Sequence, residues 1–222
     1  MLYGRHKGKA LRARQQAMLD VFLPQIAVPG VAPPGDPNRA EVDLPALFGT
    51  RPVWLEIGFG AGEHLLAQAA ARPEIGFIGA EHFLNGLASC LSHLERAGLG
   101  NVRIHGGDVL DLLEVLPPAS LARVFLLYPD PWPKTRHASR RFVNPPGMDR
   151  VARVMAPGAR FHLATDIPRY VAHAKAHMAG RPDFTPVDHP LQTAWAGWHP
   201  TRYEDKALRE GRAPHYLIWE RR

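Results

Sequence analysis

The sequence predicts an α/β fold: a mostly parallel sheet with helices on both faces. Three observations carry that prediction. From Val53 onward, short apolar runs alternate with amphipathic stretches at strand–helix–strand spacing. A glycine-rich turn, Gly58-Phe59-Gly60-Ala61-Gly62, follows the first apolar run. Acids recur where successive strands end, at Glu56, Glu81 and Asp108.

The elements follow in order. Residues 1 to about 20 are basic, with Arg5, Lys7, Lys9, Arg12 and Arg14 and no acid before Asp20. Gly4 and Gly8 argue against a stable helix there, while Gln15 to Leu23 suits a short one. The segment is either a mobile arm that binds nucleic acid or a disordered tail. Residues 24–52 are rich in proline and glycine and read as a linker or surface loop. The expected organisation is an arm and linker over 1–50 and one folded domain over 51–222. Strands are predicted at Val53 to Gly58, Ile75 to Ala80, Val102 to His105, Val124 to Tyr128, Arg160 to Ala164 and Tyr216 to Trp219. Helices are predicted at Gly62 to Ala71, Leu84 to Ala97 with Gly98 as its stop, Pro145 to Met155 stopped by Pro157-Gly158, and Ile167 to Met178.

Composition bounds the function. The 222 residues suit one α/β domain with a sizeable core, and the formal charge is +6. An isoelectric point near 9.8 suggests a polyanionic partner. One cysteine, Cys90, excludes an intrachain disulfide framework and a cysteine metal site. The histidines form no HExxH-type pair, so no metal is expected. There is no membrane-length apolar run and no signal-peptide segment, so a cytoplasmic home is the default.

The glycine turn admits close approach of a ligand to backbone amides. Dinucleotide sites carry a third glycine one place later than Gly62, where this chain has Glu63. A carboxylate there would repel a diphosphate and tolerate a cation, and Glu56 has the same preference. S-adenosylmethionine carries an ammonium and a sulfonium and no phosphate, so these acids favour it over NAD. Glu81 suits the ribose hydroxyls. Asp108, in Gly106-Gly107-Asp108-Val109, suits the adenine amino group.

The stretch from Val124 through Arg141 holds a second set. After the apolar strand come Pro129-Asp130-Pro131-Trp132-Pro133, a carboxylate and an indole stiffened by three prolines. Lys134, Arg136, Arg140 and Arg141 follow with no acid among them. This is either a phosphate-facing run beside a base-sized slot or a solvated charge run on a surface loop.

These residues resemble the bacterial tRNA (guanine-N7)-methyltransferases of the TrmB type. The resemblance rests on Glu56 to Gly62, Glu81, Asp108 and above all Pro129-Asp130-Pro131-Trp132-Pro133-Lys134. It extends to Ala164-Thr165-Asp166, to Thr201-Arg202-Tyr203-Glu204 and to the basic stretch Gly4 to Lys9. It implies a class I, Rossmann-like methyltransferase with a seven-stranded sheet. It further implies S-adenosylmethionine held by Glu56, Gly58, Gly60, Gly62, Glu81, Asp108 and Val109, with Asp130 as the catalytic-site acid. Lys134, Arg136, Arg140, Arg141, Asp166 and Thr201 to Glu204 are implied as tRNA contacts. The resemblance also implies the target, one guanine in the tRNA variable loop, position 46. The chain departs from the pattern at Thr135, Ala138 and Ser139, where the family commonly has more basic residues.

Several roles stay open at this stage. Trp132 either stacks on the base or plugs the loop from beneath. Asp166 either faces the pocket or caps the following helix. Thr201 to Glu204 doubles as a helix-start signal, and Trp195 and Trp198 belong either to the core or to an RNA-facing surface. Competing functions are a methyltransferase of a small molecule or protein, a non-catalytic RNA-binding module, and a nicotinamide-dependent dehydrogenase.

Overall fold

The structure, a computed structural model, describes residues 6–222. Gly4 and Arg5 of the basic arm therefore lie outside the described residues. The chain divides into two compact units, one ending at Pro117 and the other Pro118–Arg222.

The first unit begins with a helical run: α1 (Ala13–Ala17), a π-helical turn (Met18–Phe22) and α2 (Leu23–Ile26). Then come α3 (Leu44–Phe48), β1 (Val53–Ile57), α4 (Glu63–Ala71), β2 (Gly76–Ala80), α5 (Leu84–Ala97), β3 (Val102–His105) and α6 (Val109–Val115). All three strands pair in parallel, β1 with β2 and β2 with β3. β1 and β2 are buried throughout, as an apolar run without alternation requires of a sheet covered on both faces. Leu55, Leu65, Ile78, Leu87, Leu91 and Ile104 form the centre of this core.

Residues 24–52 are more than a linker. Val28 donates its amide to the Ile104 carbonyl of β3, and Val42, Leu44 and Phe48 are buried. Residues from His6 are tied to the start of α5: Leu84 N–H donates to the His6 carbonyl, and Asn85 brackets Gly8 and Lys9 with its side-chain amide.

The second unit holds β4 (Leu121–Leu127), a 3-10 segment (Thr135–Arg140), α7 (Pro145–Val154), β5 (Met155–Thr165), α8 (Pro168–Ala179), β6 (Phe184–Pro186), α9 (Arg202–Arg209) and β7 (His215–Arg221). β4 and β5 are parallel; β7 runs antiparallel to both β5 and β6. The strand order is β3-β2-β1-β4-β5-β7-β6, a seven-stranded and mostly parallel sheet.

Two sequence expectations need correction here. Pro157-Gly158 does not end a helix before a separate strand. β5 already begins at Met155, and the pair sits in a register shift against Leu121 and Arg123, where a bulge admits proline and a φ of 79° at Gly158. β6, Phe184–Pro186, absent from the expected strands, carried no sequence signal, because only Phe184 of its three residues is buried.

Candidate active site

In the first unit the loop between β1 and α4 turns on three glycines with positive φ: 70° at Gly58, 60° at Gly60 and 84° at Gly62. Their roles differ. A Cβ on Gly62 would lie 2.4 Å from Cys90 Sγ, and one on Gly86 would lie 2.7 Å from the Gly60 carbonyl oxygen. Both absences let α5 press against the loop. Gly58 is exposed and would meet nothing within 4 Å, so its backbone is the part a ligand can reach.

Glu81 sits beside that loop just past β2, buried. Its Oε2 accepts from Gly60 N–H and its Oε1 from Phe83 N–H, each at 2.8 Å. Burial raises its pKa above 4.5, against the opposing pull of those two amides. Glu56 is buried within β1 and its Oε2 meets His64 Nδ1 at 2.7 Å. No sequence pattern marked His64, which is turned inward from the first turn of α4. Glu63 is half-buried at the head of that helix. Asp108 caps α6, accepting from Leu110 N–H at 3.0 Å, with Val109 as the first helical residue. The sequence reading missed α6, although Asp108 is a cap of ordinary chemistry.

In the second unit the loop after β4 carries Asp130 and Lys134 at exposed positions, with Arg136 and Arg140 exposed on the 3-10 segment. Arg140 lies over the Trp132 ring, 5.0 Å from its centroid, and His137 meets the ring edge at 5.8 Å. Trp132 is half-buried, so one face is already covered by a guanidinium. The His137 imidazole is pushed below its usual pKa, first by desolvation and then by Arg140, Arg136 and Lys134. Those neighbours register the density of positive charge along this edge.

Arg141 departs from expectation. Expected on a phosphate-facing run, it is 5% exposed, and its guanidinium donates to the carbonyls of Pro131 and Trp132. Asp166 does not cap α8. Thr165 Oγ1 accepts the Ile167 amide, and Asp166 pairs with Arg212 at 2.5 Å.

Thr201 is the N-cap of α9, its hydroxyl accepting from Glu204 N–H, while Arg202 and Tyr203 are exposed. Glu204 is buried, accepting from Tyr216 hydroxyl at 2.6 Å and from Trp198 Nε1 at 2.8 Å. Trp195 is buried among His162, Trp198 and Tyr216 and belongs to the core, whereas Trp198 is half-buried at its edge. Burial and the Glu204 charge push the Tyr128 phenol upward, as burial and its bond to Glu204 do for Tyr216. Glu204 thus anchors a polar cluster next to the root of the Asp130 loop, which the sequence motif did not reveal.

A separate cavity of about 480 Å³ between α7 and the end of α8 contains none of the candidate residues. Its Arg181 is matched by Asp149 and Asp183. Among the described residues no group of three or more His, Cys, Asp or Glu side chains could hold a metal ion. No described helix is long and apolar enough to cross a membrane.

The family model described as "Putative methyltransferase" matches residues 50–217. A tRNA (guanine-N(7)-)-methyltransferase of Ruegeria pomeroyi is 52% identical over 221 residues, covering 99% of this chain and 93% of its own. One of Rhodospirillum rubrum is 46% identical over 228 residues, covering 99% and 87%. Among solved structures, the 16S rRNA methyltransferase KamB superposes with TM-score 0.61 at 17% identity, covering 84% of this chain and 97% of that one. A SAM-dependent O-methyltransferase of Thermotoga maritima gives 0.51 at 13%, covering 95% and 71%. At such identities the structures show the shared fold alone.

Proposed function

The chain belongs to the tRNA (guanine-N7-)-methyltransferase family, and from that premise we propose that it transfers the methyl of S-adenosylmethionine to N7 of the variable-loop guanine, position 46, of tRNA. The observation that carries this reading is the loop after β4. An exposed carboxylate, Asp130, stands in a proline-stiffened turn beside Trp132, and the exposed cations Lys134, Arg136 and Arg140 follow with no acid among them. A carboxylate suits a base that is about to become cationic, and the cations suit phosphate.

The cofactor fits what the first unit offers. Gly58 leaves open backbone, and the carboxylates at hand, Glu81, Asp108, Glu63 and Glu56, favour a cationic ligand over a diphosphate. Glu81 would accept the ribose hydroxyls, Asp108 and Val109 would border the adenine, and Gly58, Gly60 and Gly62 would line the chain of the amino acid moiety. When bound, S-adenosylmethionine supplies an activated methyl on a sulfonium.

Guanine N7 bears a lone pair and no proton, so the protein has no base to provide. Its residues have to orient the ring and stabilise charge. The guanine N1–H and exocyclic amine are donors, and Asp130 can accept from them. As the ring gains charge those protons become more acidic and the hydrogen bonds strengthen, which favours the transition state over the ground state. Lys134 would hold a phosphate or the guanine O6. Asp166, Thr201 and Glu204 act here from a supporting position, Asp166 through its ion pair with Arg212 and Thr201 and Glu204 through α9, leaving Arg202 and Tyr203 toward the RNA. A tRNA substrate puts this work in the cytosol.

The test is transfer of labelled methyl to unfractionated tRNA, followed by borohydride–aniline cleavage, which cuts at 7-methylguanine. Cleavage at one variable-loop position supports the reading. Label without cleavage, or label only on small molecules or protein, overturns it.

A further inference from the structure

Trp132 holds φ at 40°, in the left-handed region that L side chains rarely adopt. Such a conformation persists only where its surroundings enforce it. Here they are visible. The loop's prolines at 129, 131 and 133 have no amide hydrogen, so their peptide groups can only accept. Three consecutive carbonyls are each taken by a guanidinium. Arg141 Nε donates to Pro131 at 2.9 Å, Arg141 Nη2 donates to Trp132 at 3.0 Å, and Arg169 Nη1 donates to Pro133 at 2.8 Å.

We propose that Arg141 is a positioning residue for methyl transfer: its buried guanidinium clamps the Pro131 and Trp132 carbonyls and so fixes the Asp130 carboxylate, with Arg169 closing the clamp at Pro133. The inference rests on the function proposed above and deepens it. At 5% exposure Arg141 is unsuited to a phosphate, while Lys134, Arg136 and Arg140 of the same run are exposed and suited to one. The clamp is itself braced. Asn144 Nδ2 donates to the Arg141 carbonyl at 2.7 Å, and His173 Nε2 bonds the Val143 carbonyl at 2.7 Å. Tyr170, fully buried in α8, feels the charges of both Arg141 and Asp130. A lysine cannot replace the clamp, because a single ammonium lacks the planar fork that reaches two neighbouring carbonyls.

The experiment compares Arg141→Lys, Arg141→Ala and Arg169→Ala with the wild type. Each is assayed for kcat and for KM toward tRNA, the salt dependence of tRNA binding, and hydrogen exchange. The clamp predicts that kcat falls about a hundredfold in both Arg141 variants, as a displacement of about 1 Å can do. KM for tRNA and the salt slope stay at wild-type values. Guanidinium ion in the buffer restores part of the activity of Arg141→Ala and none to Arg141→Lys. Exchange quickens at the Asp130, Trp132 and Lys134 amides.

Unchanged kcat overturns the proposal. So does a loss confined to KM with a salt slope lowered by about one, which would make Arg141 a phosphate contact. Should both Arg141 variants fail to fold, Arg169→Ala at its exposed position decides: a severalfold loss of kcat at constant KM supports the clamp, and wild-type kcat overturns it. A wild type inactive on tRNA would sink the function instead, and the exchange rates of the loop would still decide the clamp.

Discussion

Glu81 is a buried carboxylate whose two oxygens already accept backbone amides, and burial holds its pKa above 4.5. A raised carboxylate pKa means that the folded protein binds the proton more readily than the unfolded chain. Its stabilising contribution is therefore complete below 4.5 and is lost as the pH rises through the folded value. Ribose hydroxyls need the ionised form, so affinity for S-adenosylhomocysteine should fall as the pH drops toward 4.5, earlier than an ordinary glutamate would allow. Calorimetry across that range checks this: Glu81→Gln should bind weakly and without the pH dependence, and a flat wild-type profile contradicts the role. Asp130→Ala should lower methyl transfer by roughly 10²–10³-fold while keeping S-adenosylhomocysteine affinity, as loss of one group that stabilises developing charge does. Comparable loss of cofactor binding in the folded variant contradicts that assignment. At this scale the sequence revealed acids at strand ends, because a strand followed by a glycine turn fixes where its last side chains lie. It hid Arg141 and His64. A charge run reads as solvated whichever cation turns inward, and nothing local tells that the second residue of α4 faces a buried carboxylate.

The elements that shape the glycine loop after β1 are set by close approach more than by propensity. α5 presses on the loop through Gly86, whose missing Cβ leaves room for the Gly60 carbonyl. Gly86→Ala should displace the loop and weaken S-adenosylhomocysteine binding at least tenfold in a protein that still folds; unchanged affinity would mean that the loop yields. Thr201→Ala removes the N-cap of α9 and should cost about 1 kcal/mol. That corresponds to roughly 2–4 °C in melting temperature for a chain of this size, measurable by calorimetry. Long periodic elements were legible: α5 spans Leu84–Ala97 as expected, ended by Gly98 at φ 61°. Short or irregular ones were not. α6 is two turns long, and Pro157-Gly158 looked like a break because a bulge is a tertiary accommodation that no local rule announces.

For the whole molecule, a formal charge of +6 and the exposed cations of the 3-10 segment predict binding to tRNA driven by counterion release. Replacing Arg136 and Arg140 together by alanine should weaken tRNA binding and lower the slope of log affinity against log salt by about two. A slope equal to wild type would return both to the solvated surface. The fold class was legible from the alternation of strands and helices. What stayed hidden is how Thr201 and Glu204 are engaged, since a motif's spacing does not show that a carboxylate is consumed by Tyr216 and Trp198. The central claim is that the ring nitrogen N7 receives the methyl, and one substitution in the RNA addresses it. A tRNA transcript carrying 7-deazaguanine at position 46 alone should bind as the unmodified transcript does and accept no methyl group. Labelling of that transcript at the ordinary rate would contradict the account.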